Sequence, residues 1–127
     1  METMMEALRV EERTSTRILD FDGEFVDQHF SVQIWLLANA CFVWIGLDST
    51  AVSLGSMSTA VKTKYDPLPL ASSLIGGGNE MEQQMAQRLV LRTGRQVFVS
   101  CNLPDDDMEL GAFIERAIIK RLNQESR

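Results

Sequence analysis

Apolar residues recur at helical spacing after residue 79, while glutamine and arginine fill the positions between them. The apolar stripe is Met81, Met85, Ala86, Leu89 and Val90. Asn79 can accept a hydrogen bond from a free backbone N–H of the first turn, and Glu82 has the spacing to reach back to it. Gly94 can adopt the left-handed conformation that ends many helices. The pattern predicts a capped helix between Asn79 and Gly94.

From Gln96 the period of the apolar pattern changes to two. Val97, Val99, Cys101 and Leu103 share one face, and Phe98 lies on the other face with Ser100 and Asn102. This alternation predicts a strand that is covered on one face and partly on the second. Pro104 ends it.

Shorter apolar runs precede this helix. We predict a strand from Phe25 to Leu37, a turn at Asn39, and a second strand from Cys41 to Leu47 that is apolar on both faces and therefore central in a sheet. A third strand is predicted over the second half of the segment Val52 to Tyr65. Residues 70–75 form a short extended piece before the glycines at 76–78.

A second helix closes the chain, because Asp106 and Glu109 repeat the capping spacing before a broad apolar stripe. The element order β-β-β-α-β-α predicts an α+β fold with a largely antiparallel sheet packed with two main helices. Residues 1–24 are rich in charge and are expected to form a flexible N-terminal extension. Residues 25–127 are expected to form a single domain.

Charge and hydrophobicity argue against two classes of partner, nucleic acids and membranes. The chain has 127 residues, a net charge of -6, and basic residues interleaved with acidic ones, so no nucleic-acid partner is expected. Its longest apolar segment, Val32 to Leu47, is interrupted and shorter than the roughly 18 residues of a membrane span, so no membrane partner is expected. Cys41 and Cys101 lie in apolar runs, which suggests a reducing compartment. With no recognisable targeting signal, the cytosol or the nucleus is expected.

Few residues are candidates for catalysis or for binding a metal or a phosphate group. The glycines at 76–78 lack the Lys-Ser or Lys-Thr of a phosphate loop and precede Glu80 and Glu82, so they are interpreted as a linker. His29 is the single histidine, and with two separated cysteines it cannot complete a four-ligand zinc site. The acidic run at 105–107 lacks the ligand spacing of a calcium loop. No catalytic residue, metal or cofactor is therefore predicted, which favours a binding role.

Six motifs, in order, are similar to the proteasome assembly chaperone 4 family. They are His29-Phe30-Ser31 with Trp35, Phe42-Val43-Trp44-Ile45-Gly46, Tyr65-Asp66 with Pro69, Ser73-Leu74-Ile75-Gly76, Ala86-Gln87-Arg88-Leu89, and Gln96-Val97-Phe98-Val99-Ser100 with Asn102-Leu103. The resemblance runs from about Val26 to Leu122 and does not cover the N-terminal extension. Between Trp35 and Trp44 the chain looks shorter than the family pattern, which implies a truncated first hairpin and weaker pairing if the family pairs there.

The resemblance implies a small non-enzymatic chaperone. A member would pair with a homologue of proteasome assembly chaperone 3 as a heterodimer of related folds, and would contact an α-type subunit while the α-ring of the 20S proteasome assembles. Trp35 and Trp44 are expected in the core. Because tryptophan is also enriched at interfaces, Trp44 is a candidate partner contact, together with Phe98, Arg88 and Arg92.

Two alternatives remain open. The first is an adaptor or regulatory subunit of the longin or roadblock type, which is also a small α+β dimer. The second is a small hydrolase that uses Ser72 or Ser73 with His29.

Overall fold

The computed structural model describes residues 16–48, 55–76, 79–104 and 107–125. They form six strands and two helices. The strands are β1 (Arg17–Phe25), β2 (Gln28–Leu36), β3 (Ala40–Leu47), β4 (Met57–Val61), β5 (Leu70–Ile75) and β6 (Gln96–Asn102), and the helices are α1 (Glu80–Thr93) and α2 (Met108–Glu125).

All six strands lie in one sheet with the order β1-β2-β3-β6-β4-β5. Neighbouring strands are antiparallel except β3 and β6, which are parallel. The predicted α+β class, with a largely antiparallel sheet and two main helices, is confirmed. The element order is β-β-β-β-β-α-β-α, with two strands more than predicted. One of them, β5, coincides with the extended piece expected at residues 70–75.

The other additional strand, β1, corrects the expected N-terminal extension. Residues 17–24, expected to be flexible, belong to β1, which pairs with β2 along its whole length. Leu19, Phe21 and Phe25 face the core, and acidic residues alternate with them on the opposite face of the strand, as expected for a half-buried strand. Residues 1–15 lie outside the described part of the chain.

A two-residue turn joins β1 to β2. Both of its residues, Val26 and Asp27, have positive φ, at 47° and 65°. Two consecutive residues with positive φ are the mark of the tight hairpin turn whose twist matches that of the flanking strands. Asn39, predicted in the β2–β3 turn for its tolerance of positive φ, lies in that turn but is not among the residues with positive φ.

The core lies between one face of the sheet and the two helices. α1 packs on β4, β5 and β6. On α2, Phe113 contacts the rings of Phe25 and Phe30, with ring centroids 4.8 and 6.0 Å apart, which places α2 over the β1–β2 side. The helices meet at Gly111 and Met81. A Cβ added to Gly111 would lie 2.6 Å from Sδ of Met81, so a larger residue there would require the flexible Met81 side chain to shift. Cys41 and Cys101 are buried, and neither takes part in a disulfide.

The predicted limits of α1 are confirmed in detail. The Asn79 side chain accepts a hydrogen bond from the N–H of Glu82, and Gly94 has a φ of 71° and donates its N–H to Val90. The expected return bond from the Glu82 carboxylate to Asn79 is wrong, because that carboxylate turns into the core. For α2, Asp106 lies outside the described residues, and Asp107 accepts from the N–H of Leu110 instead.

Neither helix in the described ranges is long and apolar enough to cross a membrane.

Candidate functional site

The sheet face opposite the helices carries an apolar band. In the described part of the chain no helix covers this outer face. The band consists of Ile18, Trp35, Phe42 and Phe98, which we call the outer band. The strand register pairs Ile18 with Trp35, Trp35 with Phe42, and Phe42 with Phe98, so the four side chains form one row across β1, β2, β3 and β6. Ile18 is 53% exposed and Trp35 39% exposed.

Trp44 extends the outer band by one row along β3. Its ring lies over Gly46, where an added Cβ would collide with the ring, so the missing side chain lets the indole lie flat along the strand. On the neighbouring strand, the Trp35 Nε1–H donates to Oε1 of Gln33 at 2.9 Å. These aromatic groups thus present broad and nearly fixed surfaces, as residues at protein interfaces often do.

An acidic row borders the outer face. Asp20, Asp22 and Glu24 alternate along β1, the edge strand of the sheet. Charges on an edge strand discourage uncontrolled pairing with another chain's strand. They also give one side of the outer face a negative charge that a partner can recognise.

His29 lies at the end of this row between two carboxylates. Its Nε2 is 2.9 Å from Asp22 Oδ2, and its Nδ1 is 2.5 Å from Asp48 Oδ2. Partial burial of the ring lowers the pKa of His29, but the hydrogen bonds and negative charges of Asp48 and Asp22 outweigh burial and raise the pKa above 6.5. The outer face therefore carries one group that can change charge near neutral pH.

The four predicted contact residues fall on two different surfaces. Trp44 and Phe98 are half-buried on the outer face, and Arg88 and Arg92 lie on α1, on the helix side. Arg88 makes two hydrogen bonds to the Glu115 carboxylate, which raise the Arg88 pKa although desolvation opposes them. The structure thus does not join the four into one site, and their role in partner binding stays a prediction.

The expectation that both tryptophans are core residues is wrong. Both lie on the outer face, where Trp35 is among the exposed large apolar residues and Trp44 is half-buried. The sequence reasoning also missed Ile18 and Phe42 as members of the outer band. The signal that identifies β1 is alternation. Leu19, Phe21 and Phe25 share one face of the strand, and Ile18 lies on the other face with the acidic residues. Phe42 could be assigned to the outer face only once the face of β3 was known.

The residues of the hydrolase alternative are far apart. His29 is on β2, and Ser72 and Ser73 are on β5, four strands away in the sheet. At about 4.8 Å per strand this separation is roughly 19 Å. The Ser73 hydroxyl donates to the Ile75 carbonyl. These side chains therefore do not assemble a catalytic site within the chain.

Among the described residues, no group of three histidine, cysteine or acidic side chains is arranged to hold a metal ion. The two carboxylates beside His29 contact opposite nitrogens of the same ring and do not converge on one point. The glycines predicted as a linker lie partly outside the described residues, and Gly76 has a φ of 90°.

Comparison with solved structures matches this fold to a chain in the crystal structure of a chaperone complex for yeast 20S proteasome assembly. The match has a TM-score of 0.67 at 16% identity and covers 87% of this chain and 97% of the other. This similarity supports the six-stranded α+β fold described above.

Comparison of sequences also matches the chain to proteasome assembly chaperones. The chain is 29% identical over 115 residues to proteasome assembly chaperone 4 of Mus musculus and, equally, to that of Homo sapiens; each match covers 90% of this chain and 91% of the relative. The family described as proteasome assembly chaperone 4 matches residues 29–103, which is more than half of the chain. The matched residues include β2, β3, β4, β5, α1 and β6. The chain therefore belongs to the proteasome assembly chaperone 4 family, and its role is in the assembly of the proteasome.

Proposed function

We propose that this chain is a non-enzymatic subunit of a chaperone heterodimer, and that it pairs with a homologue of proteasome assembly chaperone 3 through the outer face of its sheet. The observation that carries this proposal is the outer band. Four large apolar side chains lie in register across four strands with no helix over them among the described elements. Apolar patches of this kind on otherwise charged proteins mark interaction sites.

A second sheet is the partner surface that fits best. Two sheets pack face to face about 10 Å apart, with side chains of both inner faces interdigitating. The flat rings of Trp35, Phe42 and Trp44 suit such a layer. A structural relative of this chain comes from a chaperone complex, which supports a partner that is itself a chaperone.

The acidic row on β1 favours one orientation of the partner over others. Asp20, Asp22 and Glu24 lie beside the outer band on one edge only. A partner with basic residues along the facing edge would be attracted in one orientation, and a second copy of this chain would place acid against acid in some orientations. This asymmetry favours a related partner over self-pairing.

Co-expression with a proteasome assembly chaperone 3 homologue from the same source, followed by size-exclusion chromatography with light scattering, tests the pairing. We expect a 1:1 complex at micromolar concentration. Phe98→Asp should abolish the complex while circular dichroism shows a folded chain. Met108→Asp is the matched control, because Met108 is 69% exposed at the start of α2, away from the outer face.

Absence of a complex with the unaltered chain would reject the heterodimer. Equal loss with Met108→Asp would reject the outer face as its location. If Phe98→Asp unfolds the chain, Trp35→Asp, at a more exposed position of the same row, replaces it.

We further propose that the heterodimer binds an α-type subunit of the 20S proteasome. Family membership supports this contact. Mass spectrometry of proteins that co-purify with the tagged full chain should identify α-type subunits together with the partner chaperone. Recovery of small GTPases or trafficking complexes in their place would support the longin or roadblock alternative.

A further inference from the structure

Basic residues that are scattered along the sequence are gathered by the fold. Seven of the nine basic residues in the described part of the chain lie on the two helices or beside their C-terminal ends. They are Arg17, Arg88, Arg92, Arg95, Arg116, Lys120 and Arg121. The first turns of the same helices carry Glu80, Glu82 and Glu109 instead. A chain with a net charge of -6 therefore has a distinctly basic region, although no basic surface was expected from its sequence.

This region contains two adjoining hollows. One, of about 440 Å³, is lined by Arg17, Arg92 and Arg95. The other, of about 680 Å³, is lined by Arg92, Arg116 and Lys120. Arg92 and Asn123 line both, so the hollows form one continuous depression past the ends of α1 and α2. We call it the basic groove and define it by Arg17, Arg92, Arg95, Arg116, Lys120 and Asn123.

Most of the charge in the basic groove is uncompensated. Within the groove, Arg17 pairs with Glu125. Outside the groove, Arg88 pairs with Glu115 and Arg121 pairs with Glu125. Within the described ranges, no carboxylate forms an ion pair with Arg92, Arg95, Arg116 or Lys120. The charges are also placed unfavourably for the isolated chain.

Two cations of the basic groove lie four residues apart on α2. They are Arg116 and Lys120, and like charges at this spacing repel. An anionic partner in the groove would relieve this repulsion.

The lining of the basic groove favours a polypeptide. Its hollows also contain the apolar side chains of Leu36, Leu37 and Ile119, which suit a segment with both acidic and apolar residues. No aromatic side chain on which a base could stack is among the lining residues.

We propose that the basic groove is a docking site for an acidic segment of a protein partner. The groove lies on the helix side of the domain, whereas the proposed chaperone pairing uses the opposite face of the sheet. Both surfaces can therefore be occupied together. The proposal does not depend on the heterodimer, and its test can fail while the pairing test succeeds.

Fluorescence anisotropy on the full chain tests the proposal with a defined probe. The probe is a short labelled peptide in which glutamate pairs alternate with leucine, and its match has glutamine at every glutamate. We expect saturable binding of the glutamate peptide only, weakening steeply as salt rises from about 0.05 M to about 0.2 M. Arg92→Glu should weaken binding by about tenfold or more, since Arg92 lines both hollows.

Lys64→Glu is the matched control, because Lys64 is an exposed cation in the β4–β5 connection, outside both hollows. It should change the affinity by less than about twofold. If Arg92→Glu does not fold, Arg116→Glu provides the same charge reversal at an exposed position on α2.

Three results would overturn the proposal. The glutamine peptide could bind as tightly as the glutamate peptide, or the Lys64 and Arg92 variants could lose affinity equally. A single-stranded oligonucleotide of the same charge could also bind more tightly than the glutamate peptide, which would assign the groove to nucleic acid.

Discussion

Arg88 on α1 and Glu115 on α2 hold the two helices together through a two-point ion pair. Arg88 Nε lies 2.7 Å from Glu115 Oε2, and Arg88 Nη2 lies 2.6 Å from Glu115 Oε1. The Glu115 side chain is 11% exposed and the Arg88 side chain 51% exposed. Paired geometry of this kind gives stronger and more directional bonds than a single contact.

We expect Arg88→Ala to lower the free energy of unfolding by about 1–2 kcal/mol, because it leaves the nearly buried Glu115 carboxylate without its donor while solvent can still reach the site from the Arg88 side. Urea denaturation measures the change. Arg116→Ala, at an exposed position on α2 with no ion pair among the described residues, should change it by less than about 0.5 kcal/mol. The double variant with Glu115→Ala should lose less than the sum of the two single losses. Equal effects of Arg88→Ala and Arg116→Ala would contradict this role.

Glu82 is a buried carboxylate that connects α1 to the sheet. It accepts hydrogen bonds from Ser56 Oγ at 2.5 Å, Ser58 Oγ at 2.6 Å and the backbone N–H of Cys101 at 2.8 Å. Glu82→Ala removes the acceptor for all three donors and leaves a cavity, so we expect a loss of about 2–4 kcal/mol in unfolding free energy.

Glu80→Ala is the control for this variant, since Glu80 lies in the same first turn but is exposed. It should lose no more than about 1 kcal/mol, which corresponds to its interaction with the helix dipole. Thermal and urea unfolding of both variants measure the difference. A Glu82→Ala chain as stable as the Glu80→Ala chain would show that the three hydrogen bonds add no net stability.

Local signals explain which parts of the fold the sequence could predict. Asn79, Gly94 and the alternation from Val97 onward act within a few residues, so α1 and β6 were correctly located. The inward turn of Glu82 depends on Ser56 and Ser58, which are more than twenty positions away, and no spacing rule contains them.

The two surfaces depend on tertiary placement in the same way. The outer band exists only because strand register aligns residues 18, 35, 42 and 98. The basic groove exists because the fold places Arg17 beside the C-terminal end of α2. Composition could predict a binding protein, but only the fold gives the positions of its surfaces.

The charge of His29 should make stability depend on pH. Because Asp48 and Asp22 raise its pKa above 6.5 in the folded state, its stabilising contribution is fully present below about pH 6.5 and is lost as pH rises through the folded-state pKa. His29 is the only histidine, so one imidazole signal reports its titration by NMR. Asp48→Asn should lower this pKa and reduce the pH dependence of the urea midpoint. An unchanged titration would contradict the contact between Asp48 and His29.

The turn between β1 and β2 contains a residue that does not suit its backbone. Val26 has a φ of 47° and is 78% exposed. A β-branched residue is strained in the left-handed region, whereas asparagine enters it readily and is preferred in this type of turn. We expect Val26→Asn to raise the unfolding free energy by about 1 kcal/mol. Leu68→Asn, another exposed apolar position but without positive φ, should give no such gain. Differential scanning calorimetry compares the two variants.

The parallel pairing of β3 with β6 divides the sheet into two consecutive halves. Residues 17–47 form β1, β2 and β3, and residues 57–102 form the other three strands with α1. Within the sheet, these halves meet only along the ladder from Ala40 with Gln96 to Gly46 with Asn102. Phe42 and Phe98 stand on opposite sides of that junction. A partner that rests on both rings touches each half at once, so it discriminates finished monomers from chains in which only one half has folded.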